Sequence, residues 1–255
     1  MIILFRFTLS VLIIFMVAIG GYADDKTQHI ELLSKHFRLE KPEGKGPFPA
    51  VMLFPSCGGF NSENLKSQYD RVQNLLVKLG FVTLRINYLA VRNARRCYSI
   101  NFEDAANDIS LVAEYLRQQD FVKKDALNVI GWGTGGAITL QALTETKNRK
   151  PAKVDAVIAY YPRCASISIR EWASKVPVLA LFGAKSTLAP FSNCEKLFGD
   201  QSKSEKVTVR IYEDAYMGFD NSDLPTERKI FGGTVGYNEA AAKSAWSEVT
   251  KFLKK

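Results

Sequence analysis

Histidine is nearly missing from this chain. Its 255 residues include two, His29 and His36, both ahead of the first strongly apolar strand-like run. An imidazole base can come only from that N-terminal segment, which is remote in sequence from every candidate nucleophile. No Cys-x-x-Cys pair and no Cys/His cluster occurs, so neither a metal nor another cofactor is expected. Beyond residue 23 no stretch is long and apolar enough to cross a bilayer. Repeats, low-complexity tracts and linkers are lacking too, and one α/β domain over 24–255 is the economical reading.

The first 23 residues are of a different kind. Arg6 is followed by an almost purely apolar run from Phe7 to Ile19, then the small residues Gly21 and Ala23, then Asp24-Asp25-Lys26. This pattern reads as a secretory signal removed after Ala23, with an uncleaved N-terminal anchor as the alternative. Export to a secreted or periplasmic location would place Cys57, Cys97, Cys164 and Cys194 in an oxidising compartment, where two disulfides in any of three pairings can form. The net charge of +8 becomes +7 when Arg6 leaves with the signal. The remaining basic residues are mixed with acids. Lys147, Arg149, Lys150 and Lys153 read as a solvated face, so no nucleic-acid partner is expected, and no membrane partner once the signal is gone.

Periodicity places the elements. Strand-like stretches over His29–Glu40 lead to the apolar run Ala50–Phe54. Residues 64–80 form a helix with Tyr69, Val72, Leu75, Leu76 and Leu79 on one face, ended by Gly80. Phe81–Leu89 is a strand, and 101–119 a helix burying Ala105, Ile109, Val112, Ala113 and Leu116, with Asn101 and Asp104 at its start. Ala126–Trp132, Val154–Tyr161, Pro177–Phe182 and Lys206–Tyr212 are further strands. Thr134–Lys147 and Asn238–Lys254 are helices. Such alternation predicts a mostly parallel sheet with helices on both faces.

Residues 131–136 read Gly-Trp-Gly-Thr-Gly-Gly where a strand gives way to a helix. A hydrolase elbow has Gly-x-Ser-x-Gly there, with the nucleophile on a tight strand-to-helix turn. Here the central residue is Gly133, which has no side chain. Several segments in order extend the likeness: Gly46-Pro-Phe-Pro-Ala-Val-Met-Leu-Phe54, then Pro55-Ser-Cys-Gly-Gly59, then Arg92 and Cys97, then Asp104–Ile109 leading to Tyr115-Leu116, and finally Tyr212-Glu-Asp-Ala-Tyr-Met-Gly-Phe-Asp220. With these the chain resembles the dienelactone hydrolase family of α/β-hydrolases, particularly its exported members, and the α/β-hydrolase fold is expected.

The resemblance implies catalytic positions, and they do not hold catalytic residues. The nucleophile position is Gly133. The acid position, in Gly183-Ala-Lys-Ser186, is Ser186. The base position, just before Gly218-Phe219, is Met217. Acyl transfer needs a nucleophile, a proton acceptor and a group to orient it, so the triad is not intact. The resemblance also implies oxyanion-hole-like roles for the loop holding Cys57 and for the backbone of Thr134, and it implies disulfides Cys57–Cys97 and Cys164–Cys194. Arg92, Arg95 and Arg96 lie beyond a strand's C-terminal end, where a small anionic ligand could be held. Asp214 and Asp220 flank Met217 and read as ordinary loop carboxylates. Two functions compete: a catalytically silent member that binds a ligand or protein partner, and an ester or lactone hydrolase with a relocated set drawn from Ser56, Cys57 or Thr134 with Asp214 or Asp220.

Overall fold

A computed structural model describes residues 26–60, 63–95, 97–167, 172–200, 204–230 and 232–254. The signal-like segment 1–23 and Arg96 lie outside these residues. In chain order the strands are β1 (Phe37–Glu40), β2 (Phe48–Phe54), β3 (Val82–Ile86), β4 (Val122–Trp132), β5 (Ala156–Tyr160), β6 (Val178–Gly183), β7 (Val207–Tyr212), β8 (Arg228–Ile230) and β9 (Gly233–Val235). The helices are α1 (26–34), α2 (Glu63–Lys78), α3 (Phe102–Arg117), α4 (Thr134–Ala142), α5 (Phe191–Phe198) and α6 (Glu239–Leu253). Seven strands pair in the order β1-β3-β2-β4-β5-β6-β7, all parallel except β1, and β8 and β9 make a small separate hairpin.

Period-two alternation divides the core between the two faces of the sheet. Ala50, Met52 and Phe54 of β2, Val129 of β4 and Phe182 of β6 pack with Ile109 of α3, Ile138 of α4 and Phe198 of α5. Val51, Leu53, Ile130, Trp132 and Leu181 point the other way, toward Tyr69 and Leu76 of α2 and Ala245 and Val249 of α6. Strands buried on both faces read as continuous apolar runs, as the sequence shows. Caps agree with local expectation: Asn101 accepts from the Glu103 N–H at 2.8 Å, and Asn238 accepts from the Ala241 N–H at 2.9 Å.

Three expectations need correction. The segment 26–34 is helical, with Leu33 fully buried and His29 against Asp108 of α3; the strand begins only at Phe37. Leu75 of α2 and Leu79 just beyond it lie on the exposed side, because Tyr69 and Leu76 set the buried stripe. Helix α4 stops at Ala142, where Arg149 folds back to donate to the carbonyls of Gln141 and Ala142 and to the Glu103 carboxylate. Arg149 is therefore buried and paired rather than part of a solvated face. Burial opposes ionisation of Glu103, but bonds from Thr146, Gln141 and Arg149 outweigh it and hold its carboxyl below the usual range.

Among the described residues no helix is long and apolar enough to cross a membrane. The four cysteines form two disulfides, Cys57–Cys97 and Cys164–Cys194, compatible with an extracellular location.

Candidate functional site

The turn between β4 and α4 is built around Gly133, with φ 53° and ψ −113°. A side chain is strained in that region of backbone space, and glycine enters it freely. The Gly133 N–H donates to the Tyr160 carbonyl at 2.9 Å. Its own carbonyl accepts from the N–H groups of Ala137, at 3.0 Å, and Arg163, at 3.1 Å. Strand β5 and helix α4 thus fix the turn from both sides.

The space a side chain would take at 133 is occupied. A Cβ placed there would lie 2.6 Å from Ser56 Oγ and 3.0 Å from Met217 Cε. Ser56 follows β2, and its N–H donates to the Tyr69 hydroxyl at 2.8 Å. Met217 comes from the loop after β7; it bridges Val235 of β9, and its carbonyl accepts from the Gly236 N–H. The fold therefore brings 56, 133 and 217 together. Ser186 follows β6 and is buried, with its hydroxyl accepting from the Ala189 N–H at 3.1 Å and its own N–H donating to the Gly183 carbonyl. Its polar groups close a local turn. Asp214 forms an exposed ion pair with Lys185 at 2.9 Å.

Asp220 differs from a surface carboxylate. Its Oδ2 accepts from Gln68 Nε2 at 2.7 Å and from Trp132 Nε1 at 2.9 Å, and its Oδ1 accepts from the Tyr161 hydroxyl at 2.7 Å. The donors come from α2, from the residue before Gly133, and from the residue after β5. Burial pushes the Asp220 carboxyl above its usual range, against the opposing pull of the bonds from Tyr161 and Trp132. Tyr69, Tyr160 and Tyr161 are themselves raised by burial and remain phenols at neutral pH. Rings of Tyr69, Trp132, Tyr160, Tyr161 and Phe219 pack edge-on or stacked about this group. Tyr161 holds φ 37°, an uncommon conformation for a non-glycine residue.

The sequence reading missed this network. Tyr161 and Gln68 carry no motif, Trp132 stands at a variable position of the elbow, and Asp220 looks like any loop acid until the chain closes. The one local sign was the pair Met217 and Phe219 just ahead of Asp220.

Arg92 is committed to a partner. Its guanidinium makes a bidentate pair with the fully buried Asp108, at 2.6 and 3.1 Å, and one nitrogen also donates to the Tyr88 carbonyl. Arg92 lines a cleft of about 780 Å³ that runs along the outer side of α3, with Asn107, Leu111, Lys147 and Lys153 among its walls. Arg95 is exposed. The Cys57–Cys97 bridge lies beside the elbow, with the Thr134 hydroxyl 3.6 Å from Cys97 Sγ.

Comparison with known proteins adds the family. The dienelactone hydrolase family matches residues 37–255. No curated protein matches the sequence. A dienelactone hydrolase-like promiscuous phosphotriesterase from metagenomic libraries is similar in structure, with TM-score 0.66 and 18% identity over 86% of this chain and 91% of its own. Esterase 2 of Thermogutta terrifontis, phosphorylated by paraoxon, is similar with TM-score 0.63 and 17% identity over 85% of this chain and 87% of its own. At such identities the structural likeness speaks for the α/β-hydrolase fold alone.

Proposed function

Because the chain belongs to the dienelactone hydrolase family, we propose that it is an exported, catalytically silent member, kept as a binding or interaction protein. One observation carries the reading. The place where a nucleophile's side chain would stand is taken by the Ser56 hydroxyl and the Met217 methyl, around a residue without a side chain. Methionine cannot exchange a proton, and Ser186 spends its hydroxyl on a local turn. Removing triad members leaves roughly 10³–10⁴-fold over water in the best-studied case, and only when the oxyanion hole stays open. Export is supported by the signal-like segment 1–23 together with two disulfides.

For a small anion the cleft along α3 offers Lys147 and Lys153, with the carboxylates of Asp104, Glu114 and Glu145 also on its walls, rather than the committed guanidinium of Arg92.

The test is hydrolysis of aryl acetates and of a dienelactone by the mature chain beginning at Asp24. The expected rate matches that of a heat-denatured control. Gly133→Ser is expected to stay at that rate, since no base is restored, and to lose roughly 1–3 kcal/mol of stability from strain at positive φ and the contact with Ser56. Turnover by the unsubstituted protein well above the control overturns the proposal.

A second reading rests on the same contact. Ser56 Oγ lies where a nucleophile would be, so a hydrolase with a relocated nucleophile would use it. Stoichiometric labelling of Ser56 by a fluorophosphonate would favour that reading over silence.

A further inference from the structure

The cleft along α3 carries more charge than its own ion pairs use. Most of its cations are committed. Lys26 pairs with Glu114 at 3.8 Å, and Lys150 pairs with Glu145. Arg92 and His29 are held by Asp108, and Arg149 by Glu103. Among the described residues Lys147, Lys153 and Asp104, all exposed on the walls of this cleft, form no ion pair. Two positive charges and one negative charge are left over in one cavity of about 780 Å³.

The backbone under these charges is held. Lys147 and Asn148 form the tip of a tight turn. Thr146 and Arg149 close it with hydrogen bonds of 2.8 and 3.4 Å between their main chains. The buried guanidinium of Arg149 anchors this turn to Glu103 and to the end of α4. The Lys153 carbonyl accepts from Arg117 Nη1 of α3 at 2.6 Å. Along α3, Asp104, Asn107, Leu111 and Glu114 recur at helical spacing and give the cleft one wall. Charges on a fixed backbone lose less freedom when a ligand binds.

A simple anion would gain the two lysines but would also meet the carboxylates on the same walls. A ligand that carries an ammonium as well turns Asp104 from a repelling neighbour into an attracting one. We propose that the cleft along α3 binds an acidic α-amino acid, its two carboxylates on Lys147 and Lys153 and its ammonium on Asp104. Leu111 and Pro151 line the same cleft and offer apolar surface to the methylenes between those groups. The proposal rests on the reading of the chain as a binding protein. It uses nothing at residues 56, 133 or 217, so it does not depend on the elbow being silent.

Titration of the isotope-labelled mature chain with L-glutamate at constant ionic strength, followed by amide chemical shifts, tests this. Saturable shifts are expected within 104–114 and 146–153. Glutarate lacks the ammonium and glutamine lacks one carboxylate; each is expected to bind roughly fivefold more weakly, as the loss of one exposed charge contact predicts. Lys147→Gln and Lys153→Gln, checked for folding by near-ultraviolet circular dichroism, should each weaken glutamate by the same factor. Asp104→Asn should erase the preference for glutamate over glutarate. Shifts no larger than chloride gives, binding indifferent to both lysine substitutions, or glutarate binding as tightly as glutamate overturns the proposal. Hydrolysis of aryl acetates reports on the elbow separately: turnover there, with glutamate still held in the cleft, would overturn the silence alone.

Discussion

Asp220→Ala is expected to cost roughly 3–5 kcal/mol in urea unfolding, because it strands three donors at once and each unsatisfied buried polar group costs about 1–3 kcal/mol. The donors are Gln68 Nε2, Trp132 Nε1 and the Tyr161 hydroxyl. The last of these belongs to a residue at φ 37°, whose conformation this bond helps to hold. Asp220→Asn should cost clearly less. Its amide oxygen can accept from Gln68 and Trp132, while the Tyr161 hydroxyl rotates to accept from its amide nitrogen. A loss below about 1 kcal/mol for the alanine variant would mean that water reaches these donors freely.

The same carboxyl has a pH signature. Burial raises its pKa in the folded state, so between the ordinary carboxyl range and that raised value the folded protein binds more protons than the unfolded one. Stability contributed at Asp220 therefore falls as pH rises through this window, and Asp220→Asn abolishes the slope. Other acids act with the opposite sign. Burial opposes ionisation of Asp70, but Lys66 and Arg85 outweigh it and hold its carboxyl low; the Arg71 hydrogen bond does so for Asp223. Their contributions are complete above the unfolded carboxyl range and are lost on acidification below it. Unfolding of the unsubstituted protein and Asp220→Asn across pH separates the two effects.

Gly135→Ala is expected to cost about 3 kcal/mol, at the upper end for overpacking, because the new methyl meets backbone rather than a movable side chain. Its Cβ would lie 2.4 Å from the carbonyl oxygens of both Phe54 and Pro55. Those atoms end the central strand β2 and begin the loop that carries Ser56, so yielding there would displace the cover over Gly133. For a chain of this size the loss corresponds to a fall in Tm of roughly 6–12 °C. Gly80→Ala serves as the control. Its Cβ would meet nothing within 4 Å, although φ is +91°. Its cost should be about 1–2 kcal/mol, from backbone strain alone. Equal losses at the two positions would show that close packing of α4 on the sheet is not what glycine provides at 135.

Much of the fold was legible residue by residue. The parallel strands announce themselves as apolar runs, and Asn101 and Asn238 mark helix starts by the chemistry of their own side chains. Helix α2 was legible as a helix but not in its buried face. Leu75 and Leu79 have the right spacing, yet the stripe containing Tyr69 and Leu76 won because Tyr69 also bonds the Ser56 loop. Segment 26–34 was misread because its helical character depends on packing against α3, through Leu33 and the His29–Asp108 contact, more than on periodicity of its own.

What the sequence determined alone is what depends on residue type and near neighbours: the order of the parallel strands β2 to β7 and of helices α2, α3, α4 and α6, and a glycine and a methionine where the resemblance places a nucleophile and a base. No folding can give Gly133 a side chain or Met217 a proton to exchange. Only the tertiary structure decided that Ser56 and Met217 close over that glycine, that Asp108 takes the guanidinium of Arg92, and that Asp220 gathers donors from residues 68, 132 and 161. These contacts join positions far apart in the chain. Their energies come from burial and from bonds that exist only once the elements have packed.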